Sequence, residues 1–181
     1  MMKRTIAAIA PLTLALAACG GAESDAAEAD AVSNDTLAQL VGGVEDVSML
    51  ANALDDSGLS TAFDSAAAYT VFAPTDAAFE AWMQGGEMDG AQEAAILRSH
   101  IVPGFMTMED ITGAVDSAGG EVSVAAMDGN DVTFTRVDEG IEVSGEDGAS
   151  AMLVAESKGT NGVVITIDGV LKPRPDAAAE S

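Results

Sequence analysis

The sequence predicts an α+β domain. Helical spacing of apolar residues dominates its first half, a period of two dominates its second, and one apolar segment between the helices reads as a buried strand. The chain has 181 residues, and the folded part is assigned to residues 34–174. A single domain of about 140 residues buries roughly two thirds of the surface its unfolded chain exposes. Its stability therefore requires no metal, and with one cysteine no intrachain disulfide is possible.

The first elements are helices. A short helical turn is expected over Thr36–Val41, followed by an amphipathic helix through Val44, Val47, Leu50, Ala51 and Leu54, with Gly58 placed to stop it. Tyr69-Thr70-Val71-Phe72-Ala73 then has the aromatic, β-branched and small residues of a buried strand, and Pro74 ends the pairing by removing a donor. The Thr75 hydroxyl can cap the next helix, with Asp76 and Glu80 near the positive end of its dipole. Phe79, Trp82 and Met83 follow at i, i+3 and i+4 and face the core.

Ala94–Val102 reads as another amphipathic helix, closed by Pro103-Gly104. Thr107-Met108-Glu109-Asp110 resembles a capping box with Asp in place of Glu and starts a short helix through Ile111. Beyond Glu121 the period becomes two: Val122 and Val124, then Val132, Phe134 and Arg136, then Ile141 and Val143. Asp128-Gly129-Asn130 and Asp138-Glu139-Gly140 lie between them as turns, which predicts antiparallel hairpins. Gly162–Pro173 closes the domain as a nearly continuous apolar strand, buried on both faces. The segment 175–181 is a short acidic tail expected to fray.

The N-terminus reads as a targeting segment. Lys3 and Arg4 precede Thr5–Leu16, an uncharged and mostly apolar run of 12 residues, too short for the ~20 that span a bilayer and suited to a secretory signal. Leu16-Ala17-Ala18-Cys19 then resembles a bacterial lipobox. That resemblance implies a signal peptide over 1–18 and lipidation at Cys19, which becomes the first residue of the mature chain. Two or more acyl chains give stable anchoring where one does not. The stretch after Cys19 is too polar to bury it as a core thiol, and residues 19–33 read as a disordered acidic tether. Its 14 residues after the cysteine hold the domain roughly 20 Å from the membrane as a flexible coil. Gly20 stands where an Asp would, by resemblance to enterobacterial lipoprotein sorting, favour inner-membrane retention, so the outer membrane is the expected location in a diderm cell.

Charge excludes one class of partner. The chain has 30 acidic residues against 7 basic ones, a formal −23, and no Lys or Arg between Arg4 and Arg98. Loss of Lys3 and Arg4 with the signal leaves 5 basic residues and a formal −25. Phosphate neutralisation needs a basic patch that this composition cannot build, so nucleic acid is not a partner.

Three segments resemble one family. Thr70-Val71-Phe72-Ala73-Pro74-Thr75-Asp76-Ala77-Ala78-Phe79 matches the first signature of fasciclin-like domains, and Leu97-Arg98-Ser99-His100-Ile101-Val102-Pro103-Gly104 is similar to their central histidine segment. Asn161-Gly162-Val163-Val164-Ile165-Thr166-Ile167-Asp168-Gly169-Val170-Leu171-Lys172-Pro173 matches the second signature. Order and separation agree, over about residues 33–174. The resemblance implies a β-sandwich-like wedge with several packed helices and with the two signature strands near each other at its centre. It also implies a secreted or surface-anchored adhesive module without catalytic activity. Family members commonly carry Tyr before the central His in a region tied to receptor adhesion in animal relatives. Ser99 stands there in this chain, so that receptor function is not carried over.

Candidate chemistry is sparse. His100 is the one side chain suited to acid–base work near neutral pH, but no Gly-x-Ser-x-Gly elbow accompanies it. The better account is a buried imidazole bonded between a helix and the signature strands. Asp128-Gly129-Asn130-Asp131 hints at calcium, yet Val132 takes the third ligand position and no Glu stands at the twelfth, so a hairpin turn is preferred. One His and a lipidated Cys leave no zinc set, and no cofactor is expected. Met83, Met88, Met106, Met108, Met127 and Met152 fill either core or an adaptable pocket, with core favoured. Asn161-Gly162 is read as a tight entry into the last strand. The sequence thus points to a lipid-anchored envelope module that attaches to an envelope or matrix protein or polysaccharide. The alternative is a carrier of a small apolar ligand such as a lipid or terpenoid.

Overall fold

The computed structural model describes residues 32–63, 67–83, 90–138 and 140–173. The signal segment, Cys19, the tether up to residue 31, Met88 and the tail lie outside the described residues. The helices are α1 (Leu37–Gly43), α2 (Ser48–Asp56), α3 (Ser60–Phe63), α4 (Asp76–Met83), α5 (Gly90–Ser99) and α6 (Met108–Ala118). The strands are β1 (Tyr69–Pro74), β2 (Ile101–Pro103), β3 (Glu121–Ala125), β4 (Asp131–Val137), β5 (Gly140–Gly145), β6 (Ser150–Lys158) and β7 (Gly162–Ile167).

The strands form one sheet in the order β2-β1-β7-β6-β5-β4-β3. β1 and β7, the two signature strands, run parallel, from Tyr69 opposite Gly162 to Pro74 opposite Ile167. The other pairings are antiparallel. Just beyond β3 the Met127 N–H donates to the Ile101 carbonyl of β2 at 2.7 Å, so the two edges meet and the sheet nearly closes. Closure leaves no long exposed ladder for another chain to extend.

Alternation along β1 and β7 divides the core in two. Val71, Ala73 and Val164 face the layer of α1, α2, α3, α4 and α5, where Leu37, Leu50, Leu54, Phe63, Phe79 and Leu97 are buried. Phe72, Val163, Ile165 and Ile167 face the opposite side, with Phe134, Val143 and Leu171. The rings of Phe72 and Phe134 meet there, centroids 5.3 Å apart. Ile111 and Val115, one turn apart on α6, close this second core.

Several boundaries differ from the sequence expectation. Val44 and Val47 precede α2: Asp46 takes a left-handed φ of 66°, and the helix starts at Ser48 although Val47 is still fully buried. The segment expected as helix to Val102 ends at Ser99. Ile101 and Val102 are β-branched, pair with β1 opposite Val71 and Thr70, and gain a sheet partner that a helix would deny them. The helix opened by the Thr107–Asp110 box runs on to Ala118, where Gly119, at φ 92°, ends it. The final strand stops at Ile167, after which Asp168 and Gly169 turn the chain and Val170 and Leu171 return to the core. β6 has no counterpart in the sequence expectation, because a register shift between Leu153 and Ala155 breaks its period of two.

Candidate functional site

The signature residues form a set of internal ties. Thr70 is fully buried. Its hydroxyl donates to the Gly104 carbonyl at 2.9 Å and accepts from the Met106 N–H at 2.9 Å, fixing the loop that leads into α6. The Thr75 N–H donates to the Ile167 carbonyl at 2.9 Å, and its hydroxyl accepts from the Ala78 N–H at 3.2 Å, capping α4.

Asp76 works across elements. Although it opens α4, its carboxylate accepts from the Ser48 hydroxyl at 2.6 Å and the Met49 N–H at 2.8 Å, at the start of α2. Partial desolvation raises its pKa. The bonds from the Ser48 hydroxyl and the Met49 and Ser48 amides outweigh that and hold it below the usual aspartate value.

Asn161 and Gly162 join the start of β7 to the helix layer. The Asn161 carbonyl oxygen Oδ1 accepts from the Leu37 N–H at 2.7 Å, and its Nδ2 donates to the Phe63 carbonyl at 2.6 Å. One side chain thereby ties α1, α3 and β7. At Gly162 a Cβ would lie 2.5 Å from the Tyr69 carbonyl oxygen and 2.8 Å from Leu37 Cδ2. The glycine is needed here for close approach. Asp168 completes the set: its Oδ1 accepts from the Met152 N–H at 2.7 Å beside the irregularity in β6.

His100 is 1 % exposed. Its Nε2 lies 2.9 Å from the Leu171 backbone nitrogen, which can only donate, so Nε2 is the unprotonated acceptor. Nδ1 then carries the hydrogen and donates to the Ile96 carbonyl at 2.8 Å. Burial lowers its pKa from 6.5 to about 4, against the opposing pull of the Ile96 carbonyl. Ser99 sits 3.3 Å from this same Nδ1 and donates its own proton to Ile96. A ring nitrogen that already bears hydrogen cannot take the serine proton, so Ser99 and His100 do not make a nucleophile–base pair.

Asp128–Asp131 is the β3–β4 turn. Asp128 accepts from the Asn130 N–H and Nδ2, each at 3.0 Å, Gly129 has φ 87°, and Lys172 Nζ stands 3.6 Å from Asp128 and 3.2 Å from Asp147. Among the described residues no group of three or more His, Cys, Asp or Glu is arranged to hold a metal ion. No helix among them is long and apolar enough to cross a membrane.

An apolar cleft of about 180 Å³ lies between α6 and the edge of strands β3 and β4. Met106, Ile111, Val122, Val124 and Phe134 form its walls, and Ala114 and Asp110 also line it. The methionines expected as core filling are half-buried at positions 83, 106, 108, 127 and 152. Met83 and Met127 pack at the margin of the first core and Met106 and Met108 at that of the second, and Met106 also lines the cleft. The sequence carried a partial signal for this cleft, since Ile111 and Val115 at i, i+4 mark the face of α6 that turns inward. The meeting of that face with β3 depends on tertiary packing.

Residues 45–173 match the family model described as Fasciclin domain. The chain is 31 % identical over 142 residues to the pig transforming growth factor-beta-induced protein ig-h3, covering 76 % of this chain and 19 % of that protein. It is 29 % identical over 170 residues to protein sll1483 of Synechocystis sp., covering 89 % of this chain and 87 % of that one. The chain thus spans about a fifth of the pig relative's length and most of the cyanobacterial one's. Its fold is similar to that of a FAS1 domain pair from the insect cell adhesion molecule fasciclin I, with a TM-score of 0.59 and 23 % identity over 70 % of this chain and 45 % of that one.

Proposed function

The chain belongs to the fasciclin family, whose domains serve generally in cell adhesion and are typically extracellular or surface proteins, and from that premise we propose that it is an extracytoplasmic attachment module. In this reading Cys19 carries the lipid, residues 20–33 form the leash, and the domain engages a protein or polysaccharide of the envelope or matrix. The family match over residues 45–173 carries the proposal. It is supported by the inward use of the signature residues: Thr70, His100, Asn161 and Gly162 bond or pack inside the fold, so contact with a partner falls to the outer surface. The test compares attachment and biofilm formation of cells with and without the gene, alongside retention of the purified protein on isolated envelope and matrix. Unchanged attachment together with no retention overturns the proposal. Metabolic labelling with a fatty-acid analogue tests the anchor, and label that persists in a Cys19→Ala chain refutes it.

The apolar cleft favours a second reading, carriage of a small apolar ligand. An apolar cavity of about 150 Å³ is large enough to hold benzene, and the cleft is of that order. Native mass spectrometry of protein taken from its own envelope checks this reading: a stoichiometric small molecule supports it, and an empty chain argues against it.

A further inference from the structure

We propose that the cleft between α6 and β3 takes a small cationic amphiphile, its apolar body against Met106, Ile111, Val122, Val124 and Phe134 and its ammonium group at the Asp110 carboxylate. This rests on the reading of the cleft as a ligand site and names the chemical class that it prefers. The walls offer apolar carbon and a thioether, which fixes the body of the ligand. By comparison with the apolar cavity that accepts benzene, the room suits roughly six to eight carbons, as one ring or a short chain.

The head group follows from the charges around the opening. Among the described residues Asp110 is the one ionisable residue lining the cleft. Its bonds from the Thr107 N–H at 3.1 Å and the Thr107 hydroxyl at 2.7 Å both fall on Oδ2, which leaves Oδ1 for a further donor. Those bonds also hold the carboxylate ionised, below the ordinary aspartate pKa. The cation that acts on Asp110, Lys158, is paired with Glu156 at 3.3 Å, and Glu156 accepts from the Met108 N–H at 2.8 Å at the start of α6. A fatty-acid carboxylate would meet Asp110 with Lys158 already engaged. An ammonium finds an acceptor, in a chain whose formal charge of −23 draws cations toward it.

The experiment titrates the full chain bearing Cys19→Ser with octylamine, 1-octanol and octanoate, three probes with the same body. The readout is the methyl resonance of Met106 in methionine-labelled protein, assigned by its loss in Met106→Leu. High salt shortens the Debye length to a few ångström and removes the pull of distant carboxylates. Octylammonium is expected to saturate the shift up to about fivefold more tightly than octanol, the range of an exposed ion pair, with octanoate weakest. Asp110→Asn, which keeps an acceptor for Thr107, brings the amine to the octanol level, whereas Glu109→Gln leaves the preference in place. If octanol and octanoate bind as well as the amine, the cleft remains a ligand site and the cationic assignment falls. If no probe moves Met106, the ligand-site reading falls with it. Should Asp110→Asn fail to fold, the rank order in the parent chain decides, because a cleft indifferent to head-group charge takes octanol as readily as the amine.

Discussion

The backbone N–H of Leu171 donates to Nε2 of His100 at 2.9 Å, joining residues 71 positions apart in the chain. The bond requires a neutral imidazole, and the opposite ring nitrogen, hydrogen-bearing, is held by Ile96 at 2.8 Å. His100 thus links the end of α5 to the segment that follows β7, while its own carbonyl accepts from the Phe72 N–H of β1 at 2.8 Å.

This arrangement makes stability depend on mild acid. The unfolded imidazole takes up a proton near pH 6.5, whereas the folded one resists until about 4. The contribution is complete above the unfolded value and is lost as pH falls between the two, to a total of roughly 3 kcal/mol. His100→Ala should cost roughly 2 to 4 kcal/mol at pH 7.5 by leaving the Leu171 N–H unpaired beside a cavity. The gap between parent and variant should narrow as pH approaches 4. Denaturant unfolding at pH 7.5, 6 and 5 measures both, and a gap independent of pH would refute the neutral-imidazole assignment.

Much of this was legible beforehand, for a physical reason. The β7 segment is a nearly continuous apolar run, and only a strand covered on both faces tolerates that, so its burial could be read from composition, whereas its place beside β1 at the centre was implied by the family resemblance. The Thr107–Asp110 box likewise announced the start of α6 through its own side chains. Ile101 and Val102 were misread because they continue the helical spacing of Ile96 and Leu97, and their strand exists only once β1 lies alongside. Asp76 shows the same limit: its position predicted a role at α4, but its bonds go to α2, 27 residues upstream at Met49.

Asp76 gives a second acid-sensitive element with its own window. Its folded pKa lies below the ordinary aspartate value of 3.8, so its contribution is present above that value and lost as pH falls through the lower folded one. Asp76→Ala should cost about 1 to 2 kcal/mol at neutral pH, as loss of a helix cap does. Asp76→Asn should cost less, because an acceptor for the Met49 N–H remains. Thermal melts at pH 7 and pH 3 check the pair, and an alanine variant as stable as the parent at pH 7 would count against the cap.

Two glycines should respond in opposite directions to alanine. At Gly162 the new Cβ meets the Tyr69 carbonyl and Leu37, neither of which can move without disturbing β1 or α1. A loss of at least about 3 kcal/mol is expected, at the upper end of overpacking costs. Gly113 lies exposed in the middle of α6 with nothing within 4 Å of a Cβ, so Gly113→Ala should gain roughly 0.5 to 1 kcal/mol through helix propensity. Chemical denaturation of both variants is the check, and a destabilised Gly113→Ala would contradict the open surroundings of that helix face.

Ala114→Phe separates the two readings of function. Ala114 is exposed on α6 and lines the cleft beside Val122 and Val124, so a phenyl ring there occupies the space a ligand would use without entering the packed core. Folding stability should change by less than about 0.5 kcal/mol, as for most surface substitutions, while binding of a small apolar probe should fall by at least about tenfold. Attachment of cells carrying this variant is the informative measurement. If the domain adheres through its outer surface elsewhere, attachment is unchanged while probe binding is lost. If both fall together, the cleft is itself the attachment site, and a partner must insert an apolar group between α6 and β3 to be held.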